Sequence, residues 1–178
     1  MHRREIVTAA LILAIGPSIG SQAQEANPPV QTPITGAEDL GDLSRPEQAL
    51  AQFYKAFMSR DIAMMQDNWE NSGDAVLDNP LGGIRRGWSE IRQVYERIFN
   101  SKAKVAVEFY DYTLVRQGDV FWAAGRERGT FTAGTTTLQL AVRTSRVFRM
   151  TDGRWHQVHH HGSIDDPKLL AAYQEAVR

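Results

Sequence analysis

The chain has 178 residues, of which 42% are hydrophobic and 23% are charged, and its formal net charge is −1. This balance excludes a collagen-like or wholly disordered chain, and it offers no broad positive field for holding a nucleic acid. The sequence contains no cysteine, which excludes disulfides, thiolate nucleophiles and cysteine-ligated zinc or iron–sulfur clusters. Histidine, carboxylate and aromatic side chains remain as the carriers of chemistry.

The N-terminus has the pattern of a secretory signal peptide. Arg3 and Arg4 precede an apolar run over residues 6–15, and Ser21-Gln22-Ala23 follows as a small-residue cleavage site. Ten apolar residues are too short for a membrane span, which needs about 20. We therefore expect cleavage after Ala23, a periplasmic or secreted protein, and no membrane attachment of the mature chain. The paired arginines leave open whether export uses the Sec or the twin-arginine route.

Residues 24–43 are predicted to form a flexible linker. This segment contains three prolines and no aromatic residue, so its composition cannot bury enough apolar surface to order it. The predicted domain occupies residues 44–178.

Two helices are predicted at the start of the domain. Ser44 and Glu47 have the spacing of a capping box, and apolar residues then recur three and four positions apart. Asp61 is a candidate N-cap for a second helix that extends to about Trp69.

A short strand at 75–77 and a third helix follow. The strand ends at Asp78-Asn79-Pro80, and apolar residues from Trp88 to Phe99 then have helical spacing. Beyond Ser101 the pattern changes to β-rich segments separated by glycine turns. Four strands in meander order are predicted, at about 103–115, 119–132, 136–149 and 154–163. Asp166-Pro167 then predicts a short C-terminal helix.

Helices first and antiparallel strands later predict an α+β fold. The sheet must curl around the three helices to bury their apolar stripes, and a curled sheet of this kind leaves a cone-shaped cavity.

Several motifs carry a family resemblance. They are Asp78-Asn79-Pro80, Arg86-Gly87-Trp88, Arg143-Thr144-Ser145-Arg146-Val147-Phe148, Asp152-Gly153-Arg154-Trp155 and Val158-His159-His160-His161-Gly162-Ser163. With the order of elements, they make residues 46–178 similar to the nuclear transport factor two-like superfamily, in particular its SnoaL-like branch. The last motifs also resemble the association domain of calcium/calmodulin-dependent kinase II.

This resemblance implies a cone-shaped, cystatin-like α+β fold and a homodimer joined through sheet faces. It also implies that Arg126 and Arg146, at motif positions that line the cavity of the kinase association domain, face the interior. It does not imply one activity, because this fold carries isomerases, cyclases, dehydratases, assembly domains and binders.

Four of the five histidines lie between positions 156 and 161. Strand alternation predicts that Trp155, Gln157, His159, His161 and Ser163 share one face, and that His156, Val158 and His160 share the other. We expect His159 and His161 to line the cavity as acid–base groups, with a structural role in the sheet or dimer as the alternative. No third ligand has suitable spacing, so no metal site is predicted.

Further residues are predicted to bind a ligand. A guanidinium at Arg126 or Arg146 would hold a carboxylate, although Arg126-Glu127-Arg128 also has the pattern of alternating surface charge. Trp69, Trp155 and Ser163 are the remaining candidates for ligand contact.

Steroid isomerase chemistry does not fit the matching positions. The family's base, oxyanion tyrosine and protonated aspartate fall here on Asn79, Phe53 and near Ser145. We therefore predict an exported domain whose conical pocket binds a small amphipathic or carboxylate ligand. One alternative is a lyase, isomerase or cyclase with Asp78 as base, His159 or His161 as acid and Arg146 as anion clamp. A second is a dimeric assembly domain without a ligand. No cofactor is expected, since no glycine-rich phosphate motif is present.

Overall fold

Four helices and six strands make up the part of the chain that the computed structural model describes, residues 31–177. The predicted signal peptide lies outside these residues. The helices are α1 (Pro46–Ser59), α2 (Ile62–Asn68), α3 (Gly87–Asn100) and α4 (Pro167–Ala176). The strands are β1 (Val76–Asp78), β2 (Ile84–Arg86), β3 (Lys104–Gln117), β4 (Val120–Ala133), β5 (Thr136–Thr151) and β6 (Arg154–Ser163). The predicted α+β fold is confirmed.

The helix starts follow the sequence signals in two of three cases. The Asp61 carboxylate accepts a hydrogen bond from the Met64 amide at 2.9 Å, and Asp166 accepts one from the Lys168 amide at 2.8 Å. The capping box predicted at Ser44 is wrong, because the N-cap is Arg45 and it makes no side-chain cap. Instead, the Ser44 carbonyl accepts a hydrogen bond from the Trp155 indole at 2.7 Å.

One sheet contains all six strands in the order β2-β1-β6-β5-β4-β3. Strands β3 to β6 form the predicted antiparallel meander, and β1 then pairs with β6 in parallel. Strand β2 was not predicted, because its three residues are all exposed and follow Gly82-Gly83. The parallel pairing brings Asp78 beside His161, as its register partner.

The core lies between the helices and the inner face of the curled sheet. Its largest fully buried side chains include Trp69, Tyr54, Phe109, Phe121 and Phe148. The Phe121 and Phe148 rings stack at 4.5 Å on adjacent strands, and Phe121 meets Trp155 edge to face at 4.9 Å. This aromatic layer extends across β4, β5 and β6 on the inner face of the sheet.

Residues 31–43 pack on the domain, although their composition predicts a flexible linker. Ile34 is buried and forms a β-bridge with Phe109, with backbone hydrogen bonds of 2.8 and 2.9 Å. Gly36, at φ +84°, lies so close to α1 that a Cβ there would be 2.4 Å from the Lys55 nitrogen. Backbone pairing and one glycine contact, rather than a large apolar surface, hold this part of the segment.

Candidate functional site

A β-bulge changes which histidines face the interior. The pairing of β5 with β6 shifts between Val147 and Phe148, so that Val158 is left without a register partner. The strand alternation therefore slips by one residue after Gln157. His160 is buried at 8% exposure, whereas His161 is exposed. The prediction that His159 and His161 share the inner face of Trp155 is wrong.

The centre of the domain holds a buried ion pair. Arg146 is 0% exposed, and one of its terminal nitrogens donates to Glu127 Oε1 at 2.8 Å while the other donates to Gln157 Oε1 at 2.9 Å. The Tyr54 hydroxyl donates to the same Glu127 oxygen at 2.6 Å. The guanidinium also lies 3.6 Å from the centroid of the Phe53 ring. Arg146 is thus inside the cone as predicted, but a carboxylate of the protein already occupies its fork.

Electrostatics agree with a charged pair. Burial acts to lower the pKa of Arg146, but Tyr54 and Glu127 outweigh it and raise that pKa, so the guanidinium stays protonated. Burial raises the pKa of Tyr54 well above its usual value, and the phenol remains a neutral donor. The pKa of His160 is shifted in the opposite direction. Burial is the main cause and the charge of Arg146 the second, and together they lower the pKa of His160 well below its ordinary value. The interior therefore favours a neutral imidazole beside a permanent cation.

Several buried donors around Arg146 make no hydrogen bond of good geometry with any group in residues 31–177. They are Trp69 Nε1, the Tyr95 hydroxyl, Gln157 Nε2 and Arg146 Nε. Such donors usually bind an enclosed water, so we expect the interior beside α3 to be hydrated.

The predicted site residues separate into two groups. Trp69 and Trp155 are fully buried, and their indole rings pack against other core aromatics. These tryptophans therefore act as core residues. Arg126 was expected inside with Arg146, but it faces outward and pairs with Asp111 at 3.1 Å. Alternation along β4 explains this, because Arg126 is offset by three from Ala123, the inward-facing partner of Arg146.

The outer face of the sheet, which turns away from the helices, carries the other group. His161 Nδ1 lies 3.2 Å from Asp78 Oδ2, which brings two of the three proposed acid–base residues together. Ser163 and Arg126 line the same open groove of about 410 Å³. His159 is half-buried further along this face, where its register partners are Val76 and Val147. The third group of the predicted enzyme, Arg146, lies on the opposite face and cannot clamp a ligand here.

A more enclosed cavity of about 430 Å³ lies between α3, α4 and the strand ends beside them. We call it the α3–α4 cavity. Its apolar walls are formed by Leu81, Val94, Ile98, Ala103, Val105, Phe131, Ala133, Ala176 and Val177. Its polar lining consists of Asn79, Arg97 and Ser101. Two contacts shape it: Gln174 Nε2 donates to the Leu81 carbonyl at 3.1 Å, and the Tyr173 ring lies 4.9 Å from Phe131. Burial raises the pKa of Tyr173 to about 12.

The loop beneath this cavity is held by Arg60. Its guanidinium donates to the carbonyls of Phe99 at 3.0 Å and Ser101 at 2.9 Å, and also to that of Ala103. Because these bonds fix the connection from α3 to β3, the cavity has a preformed floor.

Sequence reasoning missed the most important partners in both regions. Glu127 was interpreted as surface charge, yet its parity with Phe121 and Ala123 along β4 indicates the inner face. The polar rim of the α3–α4 cavity has no comparable signal, because Arg97 is an ordinary exposed residue in the last turn of a helix.

Within residues 31–177, no three histidine, aspartate or glutamate side chains are placed to hold a metal ion together. In the same range, no helix is long and apolar enough to cross a bilayer.

The curled sheet with helices on its inner face defines an α+β domain of the nuclear transport factor 2-like class. More narrowly, residues 47–167 match the SnoaL-like domain family, and the chain belongs to this family. The family named from the sequence motifs is thereby confirmed.

Known proteins similar to this chain differ in their descriptions. An Arabidopsis thaliana protein, F-box protein SKIP8, is 23% identical over 143 residues, which cover 78% of this chain and 59% of that protein. A provisionally assigned calcium/calmodulin-dependent protein kinase type II association domain from Thiobacillus denitrificans is 23% identical, with a TM-score of 0.59 over 68% of this chain and 95% of its own. A provisionally assigned dehydratase of the same fold from Streptomyces avermitilis is 20% identical, with equal coverage and TM-score. At these identities the structural likeness establishes the fold alone.

Proposed function

We propose that the protein is an exported SnoaL-like domain that binds a small amphipathic carboxylate in the α3–α4 cavity. The observation that carries the proposal is an apolar pocket with one cationic side chain, Arg97, at its rim. The basic and apolar pattern of residues 1–23 supports export to the periplasm or beyond.

Size and lining suit such a ligand. A volume of about 430 Å³ lies in the range of small-molecule sites. The walls are contributed by valine, isoleucine, alanine and phenylalanine, which favour the apolar part of a ligand. Because α4 forms one wall, a bound ligand would also be held by the C-terminal helix.

Arg97 provides the charge selectivity. None of the ion pairs formed among residues 31–177 includes it. Asn79 and Ser101 are further polar residues of the lining. A carboxylate at this rim can be held by a charge-assisted hydrogen bond while the apolar chain of the ligand enters the cavity.

A homodimer completes the proposal. The outer sheet face carries Val115, Val120, Trp122 and Val147 at the end remote from Ser163, and Trp122 is 38% exposed. A tryptophan exposed to this extent among valines fits a protein interface better than solvent. Sedimentation of the wild type and of Trp122→Glu would test this, since the variant should be a folded monomer.

The ligand experiment is a thermal-shift series with octanoate, octanol and butyrate. Octanoate at about a hundred times its dissociation constant should stabilise the fold by about 2.7 kcal/mol. At the same concentration, octanol, which lacks the carboxylate, and butyrate, which lacks most of the apolar chain, should stabilise it by much less. Arg97→Gln should lose the preference for octanoate over octanol. Ala133→Trp, which fills the cavity, should lose the thermal shift with octanoate and also the shift with octanol. Arg85→Gln is the matched control, because it removes one exposed charge outside the cavity.

Equal shifts in wild type and Ala133→Trp would refute the cavity as the binding site. No shift with any probe, in a protein that still forms a dimer, would favour the alternative of an assembly domain without a ligand.

A further inference from the structure

Three polar side chains form a row across three adjacent strands on the outer sheet face. His161 is the register partner of Asp78 on β1 and of Ser145 on β5. Because strand partners project to the same face about 5 Å apart, the row has the order carboxylate, imidazole, hydroxyl. None of these side chains contributes to the α3–α4 cavity.

The contact between Asp78 and His161 indicates the role of the histidine. His161 Nδ1 lies 3.2 Å from Asp78 Oδ2, a contact that favours the tautomer with the proton on Nδ1 and with Nε2 free to accept a proton. Within residues 31–177, the other carboxylate oxygen of Asp78, Oδ1, is buried without a hydrogen-bond partner, so that His161 is the polar contact of this carboxylate there. The Ser145 hydroxyl makes no hydrogen bond within residues 31–177, and it lines the open groove together with His161.

The groove continues from this row towards two arginines. Arg126 and Arg143 are direct register partners, so two like charges lie side by side on the same face. Each is paired with an aspartate, Arg126 with Asp111 at 3.1 Å and Arg143 with Asp165 at 2.6 Å. Both ion pairs are more than half exposed and therefore weak, so a ligand carboxylate can compete for these guanidinium groups.

We propose that this groove is a second, catalytic site, which hydrolyses small esters that carry a carboxylate. Ser145 Oγ forms a bond to the acyl carbon while its proton moves to His161 Nε2, and Asp78 stabilises the imidazolium. The ester C–O bond then breaks, and the leaving alcohol takes the proton from Nε2. Water cleaves the acyl-serine in the same way, releasing the carboxylic acid and restoring the serine hydroxyl.

The two arginines and Ser163 would stabilise the negative charge of the substrate and of the transition state. Ser163 is the register partner of Arg143, two positions along the strand from His161. Its hydroxyl and the Arg143 guanidinium are the donors nearest to the row that can face a developing oxyanion or the substrate carboxylate.

The test uses 4-acetoxybenzoate and its methyl ester, with release of the phenol followed by absorbance. The wild type should hydrolyse both and favour the carboxylate. Ser145→Ala, His161→Gln and Asp78→Asn should each lower the rate at least tenfold. Arg143→Gln should lower the rate on 4-acetoxybenzoate more than the rate on its methyl ester, so that the preference for the carboxylate is lost. His156→Gln is the control, since this histidine lies at the far end of β6 and should keep the full rate.

Mass spectrometry separates a serine mechanism from hydrolysis by an exposed imidazole. A brief incubation with 4-acetoxybenzoate should place one acetyl group on Ser145, and the His161→Gln variant should remain unacetylated. A Ser145→Ala variant as active as the wild type, or acetylation spread over lysines, would overturn the proposal. Circular dichroism confirms that each variant is folded.

Discussion

Replacing Glu127 by glutamine leaves the central arginine with a neutral partner in a closed interior. Arg146 is 0% exposed and loses the only carboxylate that its guanidinium contacts among residues 31–177, keeping Gln157 Oε1 as acceptor. Breaking one side of a buried ion pair costs about 3–5 kcal/mol, because the remaining charge is left uncompensated. For a domain of this size each kcal/mol corresponds to roughly 2–4 °C, so the melting temperature should fall by roughly 6–20 °C.

Urea unfolding followed by tryptophan fluorescence measures this loss, since Trp69 and Trp155 are fully buried in the folded domain and become exposed on unfolding. The double variant Glu127→Leu/Arg146→Met should recover most of the stability, because it removes both buried charges and keeps the volume similar. Glu108→Gln is the matched control: its ion pair with Arg128 is 2.6 Å long but exposed, and its loss should cost less than about 1 kcal/mol. If Glu127→Gln costs no more than Glu108→Gln, the reasoning that Arg146 is shielded from bulk solvent is refuted.

Three further perturbations have defined outcomes. Burial, then Arg146, lower the pKa of His160, so the folded state excludes a proton that the unfolded chain binds below about pH 6.5; stability should be full above that pH and fall as the pH drops further. In urea titrations across pH, His160→Gln should have a shallower fall, and an unchanged slope would contradict the assignment. Gly36→Ala should release residues 31–43 from α1, and faster amide exchange in this segment would detect the release. Gly134 also has a left-handed φ but lies in open space, so Gly134→Ala is the control and should leave residues 31–43 protected. Asp166→Ala removes the cap of α4 at a cost of about 1 kcal/mol and should weaken octanoate binding, because α4 forms a wall of the cavity; unchanged affinity in calorimetry would argue against that wall.

Local patterns predicted the elements because their causes are local. Hydrophobic periodicity predicted α1 to α3 and the four-stranded meander. Asp61 and Asp166 indicated the starts of α2 and α4, because each side chain accepts a hydrogen bond from a backbone amide two or three residues further along the chain. Ser44 had the same kind of signal, but its carbonyl contacts Trp155, which is 111 positions away. A contact at that separation leaves no trace in a local pattern.

The candidate site was less predictable because one bulge decides it. Alternation along β6 is correct up to Gln157 and wrong from His159 onward, since Val158 has no register partner on β5. Whether a strand contains an extra residue depends on hydrogen bonds to its neighbour, which single-strand periodicity does not report. The pairing of Asp78 with His161 likewise depends on a parallel contact between distant segments.

That parallel contact also has a consequence for how the protein is made. Asp78 and His161 are 83 positions apart, and β1 has only β2 as a neighbour until β6 arrives. During synthesis, α1 to α3 therefore emerge with their apolar faces uncovered, and long-range closure of this kind is slow and prone to aggregation. The sheet can close only once β6 is available, so any factor that protects the nascent protein must remain bound until β6 has been released.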